Sequence, residues 1–536
     1  KMTSSSLKDE EIDELGPLKK IEPLIPVKKI KNLDDFIKFG WYTSLILVVA
    51  EFLCLSSLSN MVYMVFSGAN PTVIGCGDIK FNDSIDGCTQ LKYVMNETLC
   101  EPVLEYQFES VNVEFDYICD ESKIVKNSIS LQMSAVLVGA FVFGQCSDLY
   151  GRRLVLLIGL LGSGIFSLLT AYSSTFIIFN VFRVLNGFFT GGVSAVQGVY
   201  LVENIPRKHR MLINTIITWS PNFIIYPIIA YFCHTWRNLA IAGSIVNLLG
   251  IIFIFFCYES PRFLIQKGRI DEARKILSTI RRLNRDHCEI RSGEVEEMLL
   301  HEQELFDNVH KKGKKHTFFH ILNTWKMFKW TFTLCFGIMV TSLVNYGILF
   351  NMEKLSGSLY LNNIFFGIIR WIMNISVGIL DYFIECMGRK FLNFFAESFN
   401  IICLLIVFFV YYLSLDHEYS YLIRIASISV SAMCAQVYLA QIMTATELYP
   451  TSVRNLGCSA LSMSSRVGTI FGAPLFYLGD FHPSYPYICL AIFVSIDMIA
   501  FHFALPETKG MALENHLPSK EKRRRSMADR KVSIID

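Results

Sequence analysis

Two arginines lie inside apolar stretches of the chain, where a permanent charge needs an explanation. Arg466 lies in SMSSRVGTIFGAPLFYL and Arg370 in LYLNNIFFGIIRWIMNISVGIL. If these stretches are membrane helices, each arginine lies about 15 Å from a helix end, near the middle of the bilayer. A lipid-facing arginine there costs about 3 kcal/mol, so each guanidinium should face protein or water. Because a guanidinium binds a carboxylate, sulfate or phosphate through two parallel hydrogen bonds, the pair favours an anionic or zwitterionic ligand.

Aromatic and amide side chains could complete such a binding site. Candidates by their position along the apolar stretches are Asn60, Gln132, Trp219, Tyr226, Tyr346, Trp371, Gln436 and Tyr438. We place Asn60, Gln132, Tyr346 and Tyr438 in the candidate site with the two arginines. An aromatic residue on an apolar helix also packs against neighbouring helices or anchors at the membrane interface, so each assignment has a purely structural alternative.

Arg370 has a structural interpretation as well. It could pair with Glu51, Asp497 or a helix carbonyl and so hold helices together. In that case Arg370 would not contact a ligand, and the two arginines would not set the charge of the ligand. Both interpretations stay open at the level of the sequence.

The composition indicates that a membrane surrounds these stretches. Of 536 residues, 52% are hydrophobic, 13% aromatic and only 18% charged. Soluble cores cannot bury that much apolar surface, so we expect an all-α membrane protein. Windows of roughly 20 residues predict twelve spans near 41–63, 129–147, 153–171, 176–200, 211–233, 238–258, 329–351, 360–381, 391–413, 421–445, 457–478 and 486–505.

Basic residues orient these spans. Alternate loops hold Arg152, Arg153, Arg210, Arg389, Lys390 and Arg454. Loops rich in Lys and Arg face the cytoplasm, which predicts a plasma-membrane protein with both termini cytoplasmic. The expected organisation is a cytoplasmic N-terminus (1–40), a six-helix bundle (41–258), a cytoplasmic linker (259–328), a second six-helix bundle (329–505) and a basic tail (506–536). Within the linker, GRIDEARKIL predicts an amphipathic helix.

The longest loop on the opposite side covers about 67–127 and is acidic. It holds four cysteines, Cys76, Cys88, Cys100 and Cys119. Outside the cell these can oxidise to two disulfides, with three pairings open. Asn82-Asp-Ser and Asn96-Glu-Thr are N-glycosylation sequons in the same loop.

Three motifs recur in the same order roughly 240 residues later. They are SDLYGRR (147–153) with IECMGRK (384–390), ENIPRKHR (203–210) with ELYPTSVR (447–454), and ESPR (259–262) with ETK (507–509). Each lies at the cytoplasmic end of the corresponding helix in its half. The chain is therefore expected to be a duplicated six-helix unit.

These motifs resemble those of a known superfamily. Gly144-x-x-x-Asp148-x-x-Gly151-Arg152-Arg153 resembles the loop signature of the major facilitator superfamily, and RVLNGFFTG at 183–191 resembles its fourth-helix motif. More specifically, the chain resembles its organic cation, organic anion and carnitine transporters. The matching stretches are FGW (39–41), FDYIC (115–119), ESPRFLIQKGRIDEARKIL (259–277), SGSLYL (356–361), TELYPTSVRNLG (446–457), SRVG (465–468) and LPETKG (505–510).

The resemblance implies the major facilitator fold, two six-helix bundles around a central cavity, and gives the arginines a context. Carriers of anions and of carnitine have a stretch similar to SRVG at the position of Arg466, whereas cation carriers have an acidic residue near this position. Near Arg370 the sequence departs from the family, where cation and carnitine carriers and many anion carriers have an acidic residue. Tyr346 lies in VTSLVNYGIL, which resembles a family stretch whose aromatic side chain lines the cavity.

The charged residues of the motifs predict a conformational latch. Asp148 precedes a glycine turn, and its carboxylate can accept hydrogen bonds from backbone donors or pair with cations at the helix ends. Such contacts form in one conformation and bias a two-state equilibrium. We assign the same role to Arg152, Arg153, Glu203, Arg210, Arg262, Glu385, Arg389, Glu447 and Arg454. Alternatively, these residues only fix topology and extend into the lipid headgroups.

These observations predict a carrier that moves small organic ions, anions or zwitterions in preference to cations, by uniport or exchange through alternating access. One alternative is an organic cation or carnitine-type carrier in which the arginines are structural; another is a receptor or scaffold that does not transport. Since the sequence has neither a P-loop nor a cluster with metal-ligand spacing, we expect no enzyme, cofactor or metal. The expected partners are the small organic ion and the lipid bilayer, without nucleic acid, and the coupling or exchange ion is left open.

Overall fold

The structure is a computed structural model that describes residues 40–81, 87–97, 100–205, 219–284, 293, 295–303, 325–383, 388–449 and 451–508. Twelve helices form its two halves. The first half has α1 (Trp41–Ser67), α2 (Ser122–Tyr150), α3 (Arg152–Ala171), α4 (Phe176–Asn204), α5 (Trp219–Cys233) and α6 (Trp236–Phe255). The second half has α7 (Trp325–Leu349), α8 (Leu359–Phe383), α9 (Arg389–Tyr412), α10 (Ser420–Leu448), α11 (Thr451–Leu475) and α12 (Tyr485–Ala504).

Length and apolar character qualify most of these helices as membrane spans. Within the described ranges, ten are long and apolar enough to cross a membrane, all except α5 and α11. The start of α5 adjoins residues outside the description, and α11 carries Arg466 and several serines. The predicted span at 129–147 belongs to a longer helix, since α2 begins at Ser122.

Glycines allow the helices of each half to pack closely. A Cβ atom added at Gly191 of α4 would lie 2.1 Å from the Val136 carbonyl oxygen of α2. In the second half, a Cβ atom at Gly468 of α11 would lie 2.0 Å from the Met339 carbonyl oxygen of α7. Small residues are what let helix backbones approach in a membrane, where no hydrophobic effect drives helices together.

A small disulfide-bonded unit lies between α1 and α2. Three short antiparallel strands, β1 (Thr72–Cys76), β2 (Ile79–Lys80) and β3 (Pro102–Glu105), form a sheet in the order β2-β1-β3. Short helices at Gly87–Glu97 and Val111–Glu114 accompany it. We call this end of the molecule the disulfide face and the opposite end, where α2 turns into α3, the motif face. At that turn Gly151 has φ of +114°, which favours glycine,.

The linker between the halves contains the helix that the sequence predicts. It covers Ile270–Leu283 and follows a shorter helix at Pro261–Gln266. Ile270, Ala273 and Leu277 are its buried residues. They pack with apolar residues of the shorter helix and of 295–299.

Candidate functional site

Arg466 reaches from the second half to the first. Its Nη1 atom lies 3.5 Å from Met61 Sδ on α1, and its Nη2 atom lies 3.4 Å from Ser194 Oγ on α4. These contacts are at the long limit of hydrogen bonding, and a guanidinium has five N–H donors. Arg466 therefore keeps most of its donor capacity for a further partner.

Arg370 lies against aromatic rings at the same interface. Its guanidinium carbon is 5.5 Å from the ring centre of Phe223 on α5 and 5.8 Å from that of Phe366 on α8. Its Nε atom is buried without a hydrogen-bond partner in the described part of the chain. Ring faces attract a cation weakly and leave its N–H donors available.

The acids considered as structural partners of Arg370 bond elsewhere. Glu51 of α1 accepts a hydrogen bond of 2.9 Å from Asn222 Nδ2 of α5. Asp497 of α12 accepts one of 2.8 Å from Gln441 Nε2 of α10. Neither acid forms an ion pair with Arg370 among the described residues, so these two versions of the structural interpretation do not describe this conformation.

Two of the tyrosines from the sequence prediction lie beside the arginines. Tyr346 of α7 and Tyr438 of α10 lie close enough to Arg370 to interact with its charge, and Tyr438 interacts in the same way with Arg466. Tyr438 is 38% exposed in the middle of a helix whose flanking residues are mostly buried. Tyr438 therefore has free surface and lies near both arginines.

Further polar groups around this interface have unused hydrogen-bonding capacity. Five such buried atoms without a partner in the described residues are Asn222 Oδ1, Tyr226 Oη, Arg370 Nε, Trp371 Nε1 and Gln436 Oε1. Buried polar groups cost free energy unless they are hydrogen-bonded, so these donors and acceptors favour a polar ligand or bound water. Trp219 packs against the apolar core at the start of α5.

Asn60 and Gln132 belong to a network inside the first half. Arg183 of α4 donates hydrogen bonds to the Asn60 carbonyl at 2.6 Å and to Gln132 Oε1 at 3.1 Å. Its guanidinium also lies over the Tyr63 ring, 4.2 Å from the centre. The Asn60 side chain accepts a bond of 3.1 Å from Asn186. Both predicted site residues thus use their polar groups within the half.

At the motif face of the first half, charged residues join the ends of α2, α3, α4 and α6. Arg152 pairs with Asp148 at 2.8 Å and with Glu203 at 3.5 Å. Glu259, just after α6, accepts hydrogen bonds from the backbone N–H groups of Arg152 and Arg153. A carboxylate at this position satisfies free N–H groups and complements the helix dipole at the start of α3.

The second half repeats this arrangement. Arg389 pairs with Glu447 at 3.2 Å, as Arg152 does with Glu203. Glu507 accepts hydrogen bonds from the backbone N–H groups of Arg389 at 2.8 Å and Lys390 at 3.0 Å. The weak sequence echo between ESPR and ETK therefore has a common structural role, and each ion pair in the described motif face joins residues of one half.

Four residues assigned to the latch add little to this picture. Arg210 and Glu385 lie outside the described residues. Arg454 lies in α11, at a position whose side chain is not described. Arg262 lies in the short helix Pro261–Gln266, where burial lowers the pKa of its guanidinium.

The disulfide face holds the two halves together. Lys126 of α2 forms an ion pair with Glu353, in the turn after α7, and both side chains are about nine-tenths buried or more. Lys126 also donates to Asn351 Oδ1 at 3.3 Å. Tyr477, after α11, donates to Asn127 Oδ1 of α2 at 2.8 Å. These contacts cross between the halves and close this face.

The structure decides the disulfide pairing that the sequence leaves open. The bonds are Cys76–Cys100 and Cys88–Cys119. They enclose the three-stranded sheet and the helix Gly87–Glu97. Asn96 is exposed on this helix, whereas Asn82 lies outside the described residues.

Sequence reasoning missed the roles of Arg183, Lys126 and Glu353. Arg183 lies within the fourth-helix motif, so its position was visible but its partners were not. Lys126 and Glu353 lie near the ends of different helices, far apart in the sequence, and nothing local in the sequence pairs them. The signal that could have found Lys126 is a basic residue close to the start of an apolar span.

Comparisons with known proteins agree with this architecture. Residues 92–516 match the family described as sugar (and other) transporter. The human protein named organic cation/carnitine transporter 2 is 28% identical over 416 residues, 75% of this chain and 70% of that protein. Zebrafish solute carrier family 22 member 6 is 29% identical over 411 residues, 75% of this chain and 70% of that protein. A Caenorhabditis elegans protein named F23F12.3 is 24% identical over 475 residues, 85% of this chain and 90% of that protein.

A solved structure supports the fold independently. The structure of the proton:xylose symporter XylE, a major facilitator superfamily protein, matches with a TM-score of 0.61 and 16% identity, over 88% of this chain and 98% of that one. At this identity the likeness concerns the fold alone. The predicted twelve-helix fold and the predicted family resemblance are both confirmed. The chain therefore belongs to the sugar (and other) transporter family, has the major facilitator fold and is a multi-pass membrane transporter.

Proposed function

We propose that this transporter moves small organic anions or zwitterions across the plasma membrane, by uniport or exchange. The observation that carries the proposal is the convergence of Arg370 and Arg466 near Tyr438 at the interface of the halves. No acid forms an ion pair with either arginine among the residues that the structure describes. A cation held inside the protein without a counter-ion is costly, so an anionic group of the cargo would offset that cost.

The first half offers the cargo a negative charge, opposite in sign to the two arginines. Glu51 on α1 is partly exposed and bonds to Asn222, one residue from the Phe223 ring that lies against Arg370. A zwitterion can place its anionic group at the arginines and its cationic group toward Glu51. The aromatic side chains between these charges, Tyr346 and Tyr438 among them, suit an organic body between the two charged ends.

The closed disulfide face supports alternating access. With the disulfide loop outside the cell, both termini cytoplasmic and Asn96 available for glycosylation, the described conformation is closed to the outside. Transport then requires the Lys126–Glu353 contact to break and charged residues of the motif face to pair across the halves. Asp148 is available for such a pair because its side chain is largely exposed in this conformation. Rocking of two bundles around a central site is the general mechanism of such folds.

An organic cation or carnitine-type cargo is the second candidate. Relatives named organic cation/carnitine transporter 2 in human and organic cation transporter protein in Drosophila melanogaster favour it. In that case Glu51 and the aromatic rings would bind the cation, and the arginines would stabilise helix packing. A receptor or scaffold that binds the same ions without moving them is the third.

Competitive uptake separates these candidates. Cells expressing the chain would be tested with labelled dicarboxylate, sulfate conjugate, carnitine and quaternary ammonium, using Arg466→Ala and Arg370→Ala beside the wild type. Arg282→Ala serves as a matched control because Arg282 is exposed on the linker helix. Surface biotinylation corrects for expression.

Each outcome selects one candidate. Uptake of an anion or of carnitine that either cavity substitution abolishes, and Arg282→Ala does not, supports the proposal. Uptake of quaternary ammonium alone, unchanged in both cavity variants, would replace it with the cation carrier. Probe binding without substrate-stimulated exchange would identify a receptor.

A further inference from the structure

Two carboxyl groups are buried together inside the second half. Glu397 on α9 and Asp497 on α12 are each 1% exposed. Their carboxyl groups lie within hydrogen-bonding distance of each other. Gly337 of α7 faces them, and a Cβ atom there would lie 2.5 Å from Asp497 Oδ1. The helix packing therefore leaves room for the carboxyl groups themselves and little else.

The polar neighbours of the pair are amides that donate to it. Asn393 Nδ2 donates to Glu397 Oε1 at 2.8 Å, and Gln441 Nε2 donates to Asp497 Oδ2 at 2.8 Å. Four oxygens around the pair are buried and have no partner in the described chain: Asn393 Oδ1, Glu397 Oε2, Gln441 Oε1 and Asp497 Oδ1. All four atoms are hydrogen-bond acceptors, so the cluster lacks donors.

No cation of the described residues neutralises the pair. On α10, Cys434 is an electrostatic neighbour of Glu397, and α7 contributes Gly337, which has no side chain. The basic residues that begin α9 bond to other groups, Arg389 to Glu447 and Lys390 to the His502 carbonyl. A proton is the positive charge that remains.

We infer that Glu397 and Asp497 share one proton and form a buried proton-binding site in the second half. Two ionised carboxylates in contact inside a membrane would repel each other and lose their hydration, whereas one shared proton supplies the missing donor. A metal ion would lie between the oxygens and separate them, but a proton draws them into contact. Release of this proton to water leaves two negative charges between α9 and α12 and loosens their packing.

The first half has a neutral network between the corresponding helices. Ser56 of α1 and Ser163 of α3 both donate to Asn247 Oδ1 of α6. Hydroxyl and amide groups do not titrate in the physiological range. The proton site thus belongs to one half of the duplicated unit, and pH acts on that half through it.

Infrared spectroscopy of the purified full chain tests the site without any transport assay. The carbonyl stretch of a protonated carboxylic acid differs from that of a carboxylate, so the wild type is compared with Glu397→Gln and Asp497→Asn at neutral pH. Glu418→Gln is the matched control, because Glu418 is exposed in the same half. We expect loss of a protonated-acid band in both buried variants and an unchanged band in the control.

Thermal unfolding provides a second measurement on the same variants. Since the folded state holds a proton that the unfolded state releases, wild-type stability should fall as the pH rises from about 6 to 8. Glu397→Gln cannot share that proton, so its melting temperature should depend less on pH. The inference would be overturned if the wild-type spectrum had no protonated-acid band that both variants remove. It would also be overturned if the melting temperatures of the wild type and of Glu397→Gln had the same dependence on pH. Neither result depends on the identity of the cargo.

Discussion

Single side chains in this transporter hold charge inside the membrane in two different ways. Arg183 has its partners within its own half, where Nη2 and Nε donate to the Asn60 carbonyl and Gln132 and the guanidinium lies over the face of Tyr63. Arg370 and Arg466 instead keep N–H donors available at the interface of the halves. The same residue type is therefore structural where acceptors surround it and a candidate for ligand binding where they do not.

We predict that Arg183→Leu destabilises the protein. The substitution leaves the buried Gln132 Oε1 without its donor, and each unsatisfied buried group costs about 1–3 kcal/mol. Arg183→Lys should have an intermediate effect, because lysine keeps the charge but loses the planar fork. Melting temperatures of the purified variants check this. A leucine variant as stable as the wild type would contradict the structural role.

We predict that Glu51→Gln distinguishes zwitterions from anions. If Glu51 faces the cationic group of the cargo, its neutral variant should lower carnitine uptake roughly tenfold, which corresponds to about 1.4 kcal/mol. Uptake of a dicarboxylate should stay the same or increase, because a negative charge leaves the cavity. Competitive uptake at matched surface expression measures both. Equal losses for the two probes would remove Glu51 from the cargo site.

At the scale of helices, close backbone contact and repeated end contacts define each half. Gly191 brings α4 against α2, and Gly468 brings α11 against α7. At the motif face, Glu259 and Glu507 accept hydrogen bonds from the backbone at the starts of α3 and α9. The duplication in the sequence thus has a physical counterpart, since equivalent helices begin with equivalent contacts.

We predict opposite effects for two alanine substitutions on α4. Gly191→Ala would place a Cβ atom 2.1 Å from a backbone oxygen, and overpacking costs about 1–3 kcal/mol,. Gly198→Ala meets no atom within 4 Å and should be neutral or slightly stabilising, because alanine favours helices,. Melting temperatures of the two variants test this directly. A stable Gly191→Ala protein would mean that α2 and α4 separate easily.

At the scale of the whole molecule, the two halves meet on the disulfide face, while the described ion pairs of the motif face stay within each half. The Lys126–Glu353 pair, the Tyr477–Asn127 bond and contacts of the disulfide loop with α8 all lie on the closed side. Because breaking a buried ion pair leaves an uncompensated charge, this pair is a main contributor to the closed state.

We predict that Lys126→Ala opens the disulfide face. Loss of one partner of a buried pair costs about 3–5 kcal/mol, enough to shift a two-state equilibrium by two orders of magnitude or more. A cysteine at Ser130, which bonds the Ile470 carbonyl across the closed face, should then react faster with an impermeant thiol reagent.

Two comparisons control that experiment. Lys92→Ala removes an exposed lysine of the disulfide loop, paired with Asp120, and should not change labelling. The charge-reversed double variant, Lys126→Glu with Glu353→Lys, should restore slow labelling. Rapid labelling of the Ser130→Cys protein with Lys126 intact would show that this face is not closed by the pair.

The sequence alone determined the helices, the duplication and the family, because these depend on local patterns. Apolar windows of roughly 20 residues must span a bilayer, and motifs such as SDLYGRR and TELYPTSVRNLG are contiguous in the chain. It also identified Arg370 and Arg466, since a charge within an apolar stretch is visible without knowing its neighbours.

Only the tertiary structure decided which groups meet. The sequence left three disulfide pairings open, and folding selects Cys76–Cys100 and Cys88–Cys119. Asn60 and Gln132 have the residue types of a ligand site, but Arg183 binds both inside the first half. Pairing across helices depends on how each helix is rotated and packed, and these are long-range properties that no local pattern encodes.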